Sequence, residues 1–198
     1  MILGITGGIG CGKSTAARAC AARGFALIDS DALIREQVLT APKVVEALRS
    51  RYGGAVVGAD GAVNRGALAS RVFADNAEGD TELRWLETLT HPVLYSLWRK
   101  ILAGDPGGRW VVEVPLLFEQ GLENWFDFTV CVACSPAQQL ARLEQRGLPR
   151  SLAGQRISKQ LPLARKIELA DMVLWNDGSA AFLQAQVDQL VASLPATR

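Results

Sequence analysis

Residues 1–24 read MILGITGGIGCGKSTAARACAARG and join two kinds of pattern through a glycine-rich turn. The apolar run ILGIT at 2–6 is typical of a buried strand. STAARACAARG at 14–24 has the composition of a helix, and we expect Gly24 to end it. Between them, residues 7–14 have the spacing G-x-x-x-x-G-K-S. A strand, a glycine turn and a helix in this order predict a phosphate-binding loop, called here the P-loop.

The P-loop spacing has a physical reason. Its glycines let the backbone turn tightly so that N–H groups face inward toward phosphate oxygens, and the next helix points its positive end at the same charge. We expect Lys13 to reach the terminal phosphates and Ser14 to coordinate Mg²⁺. The chain is therefore predicted to bind ATP or GTP; the alternative is a glycine turn with an incidental lysine. The predicted nucleotide contacts here are Gly7, Gly8, Gly10, Cys11, Gly12, Lys13, Ser14 and Thr15.

Length and composition limit the class of protein. A chain of 198 residues with 49% hydrophobic residues can bury one sizeable core and a smaller lobe. A net charge of +1 gives no overall field that would attract nucleic acid or an anionic membrane. No apolar run reaches the ~18 residues of a membrane span, and the run before Gly7 is short for a signal peptide. The chain has only four cysteines, so we expect a cytoplasmic protein. We expect it to bind neither nucleic acid nor a membrane.

Five apolar runs of strand length alternate with helical stretches. They are ILGIT, FALI, RWVVEV, FTVCVA and MVLW. This alternation predicts an α/β, three-layer P-loop fold with a five-stranded parallel sheet. Residues 31–108 are largely helical in pattern and too long for a simple crossover, so we expect them to form a substrate lobe. Residues 1–30 and 109–198 would form the nucleotide-binding core.

A basic segment covers residues 142–166, with seven Lys or Arg and one acid, while the rest of the chain is net acidic. We expect a mobile lid here, hinged near Gly147 and Pro162, that closes over the phosphates and excludes water. The alternative is a solvated helix face.

Carboxylates follow two of the predicted strands. Asp29 and Asp31 end FALIDSD, and Glu113 ends the next strand, so the acids should lie at the edge of the sheet where ligands bind. Glu113 is predicted to hold the metal with Ser14, directly or through water; the alternative is a solvated strand-end acid. One of the two aspartates could instead cap a helix. Pro115 breaks the strand and opens an apolar LLF loop that could equally be core.

The four cysteines have different surroundings. Cys131 and Cys134 form C-x-x-C inside an apolar run and have no second pair to complete a zinc site, so we expect packing thiols. Cys11 lies among loop N–H groups and Lys13, which should lower its pKa and make it the reactive thiol, covered by bound ATP. Cys20 should be shielded. The alternative is that the Cys11 side chain turns into the fold.

An ordered set of motifs resembles the dephospho-coenzyme A kinase family along nearly the whole chain. The motifs are TGGIGCGKST, IDSD, DGAVNRGAL followed by VF, HP at 91–92, VPLLFE, QQLARLEQR, RISKQLPLARKIELAD and WNDG. The resemblance implies transfer of the ATP γ-phosphoryl group to the ribose 3′-hydroxyl of dephospho-CoA, the last step of CoA synthesis, with Mg²⁺ as cofactor. It also implies a nucleotide-binding core, a helical CoA lobe and a mobile lid. It leaves the oligomeric state open.

The resemblance assigns roles to individual residues. Asp31 matches the catalytic base, and Lys13 and Arg142 match the groups that act on the phosphates. If Asp31 is not the base, Asp29 at the end of the same predicted strand is the next candidate. Further ATP contacts are expected at Arg146 and, from their place after the last strand, at Asn176 and Gly178. On the acceptor side the candidates are Asp31, Arg65, His91, Pro115 and Leu116, although a lone His before Pro is often structural.

The sequence departs from the family at two places. Cys11 stands where serine is common, and ARK at 164–166 replaces a more acidic stretch, which affects the expected lid contacts. Two rival functions stay open. One is another small-metabolite P-loop kinase, such as a shikimate or gluconate kinase, against which the long helical insertion argues. The other is a nucleotide-dependent switch, for which the glutamine of ISKQLP is the sole support.

Overall fold

The structure, a computed structural model, describes residues 1–74 and 76–195. Asp75 in the predicted lobe and 196–198 at the end of the predicted core lie outside the described residues. The chain divides into two compact units. The sheet unit comprises Met1–Asp29 and Asp105–Arg198, and the helical unit comprises Ser30–Gly104.

All five predicted strands are present. They are β1 (Ile2–Gly7), β2 (Ala26–Asp29), β3 (Trp110–Glu113), β4 (Phe128–Ala133) and β5 (Met172–Trp175). They form one parallel sheet in the order β2-β3-β1-β4-β5, which confirms the predicted five-stranded α/β fold. β1 pairs with β3 on one side and β4 on the other. The P-loop that follows β1 therefore leaves from the middle of the sheet, at the carboxyl ends of its strands.

The helices of the described residues are α1 (Lys13–Ala21), α2 (Ser30–Leu33), α3 (Pro42–Tyr52), α4 (Arg65–Val72), α5 (Ala77–Ala103), α6 (Pro136–Gln145), α7 (Arg150–Ser158), α8 (Leu163–Leu169) and α9 (Ala180–Ser193). A π-helical turn spans Ile34–Val38, and 3₁₀ turns span Gly53–Ala55 and Glu123–Trp125. The first helix ends at Ala21, and Gly24 then takes φ +89°, a conformation that favours glycine. No helix in residues 1–74 or 76–195 is long and apolar enough to cross a membrane.

The core of the sheet unit joins the sheet to α1 and α9. Leu3, Ile5 and Val132 are fully buried on the central strands. The facing side of α1 is built from alanines and Cys20, whose small side chains let the helix approach the sheet closely. Leu183, Val187 and Leu190 on α9 complete the cluster. This packing fixes α1, and with it the end of the P-loop.

The helical unit has its own internal contacts. Asn76 caps α5, since its Oδ1 accepts a hydrogen bond from the Gly79 N–H at 2.8 Å. Arg51 on α3 donates two hydrogen bonds of 2.7 Å to the Glu82 carboxylate on α5. Tyr52 also donates to Glu82, and these two donors lower the pKa of Glu82 to about 2. The ion pair lies beside a cleft of about 490 Å³ and holds the two helices together.

Candidate active site

Two glycines of the P-loop occupy places that no other residue can take. Gly7 has φ +139° and Gly12 has φ +96°, both in the range that favours glycine. A Cβ atom on Gly7 would overlap the carbonyl oxygen of Val132, and one on Gly12 would overlap the side-chain nitrogen of Asn176. The glycines predicted from spacing alone are therefore required both by backbone conformation and by the close approach of neighbouring groups.

Side chains from other elements hold the P-loop at Ile9. Gln139 on α6 donates from Nε2 to the Ile9 carbonyl at 2.7 Å. The Ile9 N–H donates to Oε1 of Gln160 at 2.9 Å. Both backbone groups of Ile9 are thus paired with glutamines far away in the sequence, which holds the loop in place at this residue. Neither contact was predicted; ISKQLP drew attention to Gln160 only as evidence for a switch.

Lys13 and Ser14, predicted to bind the phosphates and Mg²⁺ respectively, lie at the start of α1. Lys13 is 8% exposed, and its Nζ donates to the carbonyl oxygens of Gly7 at 3.2 Å and Gly8 at 3.1 Å. Ser14 donates from Oγ to Oε1 of Glu113 at 2.8 Å, so the hydroxyl and the carboxylate predicted to share a metal are in contact. Glu113 is 7% exposed and thus not a solvated strand-end acid.

A second carboxylate residue lies next to Glu113 in the sheet. Asp29, at the end of β2, is the register partner of Glu113 on β3. The parallel pairing places the backbones of both acids at the same sheet edge. Hydroxyl and carboxylate oxygens are the donors that Mg²⁺ accepts in proteins, usually one or two at a time with phosphates and water completing the shell. Ser14 and Glu113 fit that pattern. No group of three or more His, Cys, Asp or Glu residues suited to a metal occurs in 1–74 or 76–195.

Asn176 and Arg142 form a support behind the P-loop. Asn176 is 8% exposed and donates from Nδ2 to the Cys11 carbonyl at 2.8 Å. Arg142 on α6 donates from Nη2 to the Asn176 carbonyl at 2.7 Å. Its Nη1 is buried and has no hydrogen-bond acceptor among the described residues. The structure thus links the predicted lid arginine to the loop through one asparagine and leaves a guanidinium donor for a further acceptor.

The remaining predicted ATP contacts are more exposed. Arg146 is the C-cap residue of α6 and is exposed, as is Thr15 on α1. Gly178 lies in the turn after β5, where a Cβ would lie 3.0 Å from the ring of Phe182. Phe182 is itself 52% exposed, so this glycine lies beside an aromatic residue that is partly in solvent.

The side chain of Cys11 is turned into the fold. Cys11 is fully buried, and its sulfur accepts a hydrogen bond from the Cys134 thiol at 3.4 Å. The expectation of an accessible Cys11 thiol is therefore wrong, and the alternative, a side chain turned into the fold, holds. The expected direction of its pKa is right: the Cys134 hydrogen bond lowers it against the effect of burial, and the Lys13 charge adds to this.

The other cysteines differ from one another as well. Burial raises the pKa of Cys20 to about 11 and is the largest cause that raises the pKa of Cys131 to about 12, as expected of shielded thiols. Cys134 was predicted to be a packing thiol, but it is the hydrogen-bond partner of Cys11, and this bond and burial raise its pKa.

The loop after β3 is tied to the start of α8. The Pro115 carbonyl accepts hydrogen bonds from Thr6 Oγ1 at 3.3 Å and from Lys166 Nζ at 2.9 Å. Lys166 is fully buried and pairs with Glu119 at 2.7 Å. Glu119 also accepts from the Leu161 N–H at 2.9 Å. Of the apolar residues, Leu116 is half-buried, whereas Leu117 and Phe118 belong to the core.

Three predicted residues belong to the helical unit. Asp31 is exposed in the first turn of α2, directly after the buried Ser30. Arg65 is the exposed first residue of α4. His91 on α5 is half-buried and packs against the Tyr95 ring, with centroids 5.5 Å apart. Burial lowers the pKa of His91, which favours the neutral imidazole.

Residues 1–181, which include the P-loop and every contact described around it, match the profile of dephospho-CoA kinase. The chain belongs to the dephospho-CoA kinase family. The dephospho-CoA kinase of Thermosynechococcus vestitus is 41% identical over 194 residues, which span 97% of this chain and 94% of that protein. Membership confirms the resemblance seen in the sequence and the expectation of a kinase enzyme.

Solved structures agree with this placement. The crystal structure of TT1252 from Thermus thermophilus is 34% identical and covers 99% of this chain and 98% of that one, with a TM-score of 0.82. Shikimate kinase from Acinetobacter baumannii shares the fold at 16% identity and a TM-score of 0.51, covering 97% of this chain and 93% of its own. The rival kinase class thus shares the P-loop fold, while the dephospho-CoA kinase family is the one matched in sequence.

Proposed function

We propose that this chain transfers the γ-phosphoryl group of ATP to the ribose 3′-hydroxyl of dephospho-CoA, with Mg²⁺ as cofactor, in the cytoplasm. The proposal is supported by the P-loop of a member of the dephospho-CoA kinase family, which is held in place by side-chain hydrogen bonds. Ser14 and Glu113 are in contact beside this loop at 2.8 Å. Phosphoryl transfer asks a protein mainly to position groups and stabilise charge. A loop held by buried side chains meets the first requirement.

The phosphate side of the reaction rests on residues of the sheet unit. Lys13 would exchange its two loop carbonyls for phosphate oxygens, which are stronger partners because they are charged. The buried Nη1 of Arg142 lacks an acceptor among the described residues, and a phosphate oxygen would satisfy it. Ser14 and Glu113 would hold Mg²⁺, which supplies positive charge to the phosphates. Asn176 acts here as a support of the loop, with Arg146 and Gly178 as further nucleotide contacts.

The acceptor side rests on the resemblance to the family. Asp31 would accept or orient the proton of the 3′-hydroxyl, and Arg65, His91, Pro115 and Leu116 are the proposed acceptor contacts. Asp31 is exposed at the start of α2, so a bound substrate can reach this residue. A neutral His91 would donate or accept a hydrogen bond without adding charge.

The predicted lid, called here the covering segment, is shorter in this proposal than the basic stretch 142–166 and lies in its middle. Leu143 before it is 3% exposed, and Lys166 after it is fully buried, so both ends are fixed. Gly147 takes φ +80° after α6, and Pro162 precedes α8. We place the movable part of the lid at α7, which lies between these two residues and carries basic side chains, and assign it the exclusion of water from the phosphates. Gln160, which bonds to Ile9, lies after this part.

The test compares two neighbouring aspartates. Asp31→Asn should lower kcat by about 10²–10⁴ and leave ATP affinity nearly unchanged, because a general base acts in the chemical step. Asp29→Asn serves as the matched control. CoA formation followed by liquid chromatography gives kcat, and calorimetry gives ATP affinity. Normal turnover of Asp31→Asn together with loss in Asp29→Asn would move the base to Asp29.

A second measurement tests the acceptor. Dephospho-CoA should be phosphorylated, while its 3′-deoxy analogue should bind and stay unmodified, because it lacks the proposed nucleophile. Shikimate and gluconate belong in the same panel. Phosphorylation of one of these two, or ATP turnover that no acceptor stimulates, would refute the proposal in favour of a different kinase or of a switch.

A further inference from the structure

The P-loop contains one half of a buried pair of thiols. The sulfurs of Cys11 and Cys134 lie 3.4 Å apart although 123 residues separate them in the chain. Cys11 is fully buried and Cys134 is 2% exposed. The Cys134 thiol donates a hydrogen bond to the Cys11 sulfur. All four cysteines are free thiols.

Local structure fixes the position of the Cys11 sulfur. A Cβ atom on Gly8 would lie 2.9 Å from this sulfur, so the absence of a side chain at residue 8 makes room for it. The Cys11 N–H donates to the Gly8 carbonyl at 3.1 Å, and the Cys11 carbonyl accepts from Asn176 at 2.8 Å. Both backbone groups of Cys11 are therefore paired, and the side chain points toward Cys134, the first residue after β4.

The two sulfurs differ in charge state. The hydrogen bond from Cys134 and the positive charge of Lys13 lower the pKa of Cys11, while the same hydrogen bond and burial raise the pKa of Cys134. A thiolate is the reactive form of cysteine, and a neighbouring thiol is the group that resolves an oxidised sulfur. Cys11 is thus the member suited to react first, and Cys134 is placed to resolve it because its sulfur lies 3.4 Å away.

We propose that Cys11 and Cys134 form a redox modification site, in which hydrogen peroxide, admitted to the buried sulfurs by local opening of the P-loop, converts the two thiols into a disulfide that joins the P-loop to the end of β4. The Cys11 thiolate attacks one peroxide oxygen, the O–O bond breaks, and the hydroxide released takes up a proton to become water. Cys11 is then a sulfenic acid. The Cys134 sulfur attacks the Cys11 sulfur, its proton leaves with the hydroxyl group as a second water, and the S–S bond forms. Two thiols are oxidised and one peroxide is reduced, and a dithiol reductant reverses the change.

The disulfide would alter the nucleotide site. Disulfide sulfurs are about 2 Å apart, so the pair must close by more than 1 Å from its present separation. The glycine conformations and the Asn176 contact hold the P-loop in one conformation. Drawing the Cys11 sulfur toward Cys134 would distort this conformation and displace the loop N–H groups. Since a misplacement of about 1 Å can cost a factor of 10² in rate, we expect oxidation to lower kinase activity at least ~10-fold. This last step rests on the proposed function; the disulfide itself does not.

The first test measures the bond directly. The full-length reduced protein is treated with hydrogen peroxide, denatured, labelled with N-ethylmaleimide and analysed by mass spectrometry after digestion with trypsin. We expect two of the four thiols to resist labelling and a cross-link to join peptide 1–13, which contains Cys11, to peptide 110–142. Dithiothreitol should restore all four thiols. Four labelled thiols after peroxide, or a cross-link through Cys20, would overturn the proposal.

Variants identify the partner, because peptide 110–142 contains both Cys131 and Cys134. Cys131→Ala should keep the cross-link, while Cys134→Ala should abolish it and leave a Cys11 sulfenic acid that dimedone traps. Cross-linking that survives in Cys134→Ala, or no dimedone adduct there, would overturn the assignment. Circular dichroism shows whether either variant is folded before it is oxidised.

The activity arm separates this proposal from the proposed function. Reduced enzyme is assayed with dephospho-CoA before peroxide, after peroxide and after dithiothreitol. Loss of at least ~10-fold and recovery support the inhibitory role, and unchanged activity in cross-linked enzyme overturns that role. A reduced protein inactive toward dephospho-CoA would instead refute the proposed function, while the mass measurement still decides the disulfide.

Discussion

The P-loop and helix α7 both belong to the sheet unit, but they are held in different ways. Side chains distant in the sequence bond to the P-loop backbone, namely those of Gln139, Gln160 and Asn176. In α7 the buried residue is Ala153, and Leu152 is 46% exposed. Arg150 at its start pairs with Glu144 only at 3.6 Å, with both side chains largely in solvent.

The difference fits two tasks that the proposed function assigns to these regions. Groups that stabilise charge work best when they are fixed in advance, because no free energy is then spent on ordering them during the reaction. A segment that covers the phosphates must instead open to admit and release ligands, so its free energy of local unfolding has to be low. We expect substitutions in the P-loop to cost much more stability than equivalent ones in the covering segment.

The largest expected difference is between two glycines with positive φ. Gly7→Ala should lower the free energy of unfolding by about 5 kcal/mol, because its new Cβ meets the Val132 carbonyl and φ is +139°. Gly147→Ala is the matched control: φ is +80°, but nothing lies within 4 Å, so the cost should be about 1 kcal/mol. Urea denaturation measures both. Equal costs would contradict the view that close packing distinguishes the two regions.

The next effect concerns Lys166, which follows the covering segment and is held by a buried ion pair. Glu119→Gln should lower the free energy of unfolding by about 3 kcal/mol, because it leaves the fully buried Lys166 without its counter-ion. Glu168→Gln, which breaks an ion pair with the adjacent Arg165 in solvent, should cost under about 0.5 kcal/mol. Thermal unfolding of the two variants gives the comparison. A small loss in Glu119→Gln would mean that water reaches the Lys166 amine.

The sequence predicts the P-loop itself far better than it predicts the hydrogen bonds that hold this loop in place. The P-loop and the strands could be predicted because their signals are local: glycine spacing, a lysine and a serine within eight residues, and short apolar runs. The bonds that hold the loop could not be predicted, because they join residues 130, 151 and 165 positions apart. Whether such residues meet depends on the order of strands and the placing of α6 and α8, which no local pattern determines.

The same reasoning explains the error about Cys11. Its predicted environment was drawn from chain neighbours, which lower its pKa as expected. Its burial, however, depends on Cys134, which the sheet brings into contact through the pairing of β1 with β4. Likewise, the basic composition of 142–166 predicts a mobile lid over the whole range, whereas Lys166 within that range is fully buried.

A smaller effect is expected where a single hydrogen bond holds the loop. Gln160→Ala removes the acceptor of the Ile9 N–H and should weaken ATP binding about fivefold, which corresponds to about 1 kcal/mol. Gln160→Glu keeps an acceptor oxygen and is the control. Calorimetric titration with a non-hydrolysable ATP analogue measures the affinities. Wild-type affinity in Gln160→Ala would show that the remaining contacts hold the P-loop without it.

The smallest effect should come from α7 itself. Leu152→Ala removes an apolar side chain that is 46% exposed, so the free energy of unfolding should change by less than about 0.5 kcal/mol. Leu143→Ala, the same substitution on α6 at a residue 3% exposed, should cost about 2–5 kcal/mol because it leaves a cavity. Urea denaturation of the two variants measures the difference between neighbouring helices in one basic segment. Equal losses would mean that α7 is packed as firmly as the helix before it, and a lid would then need a hinge outside Gly147 and Pro162.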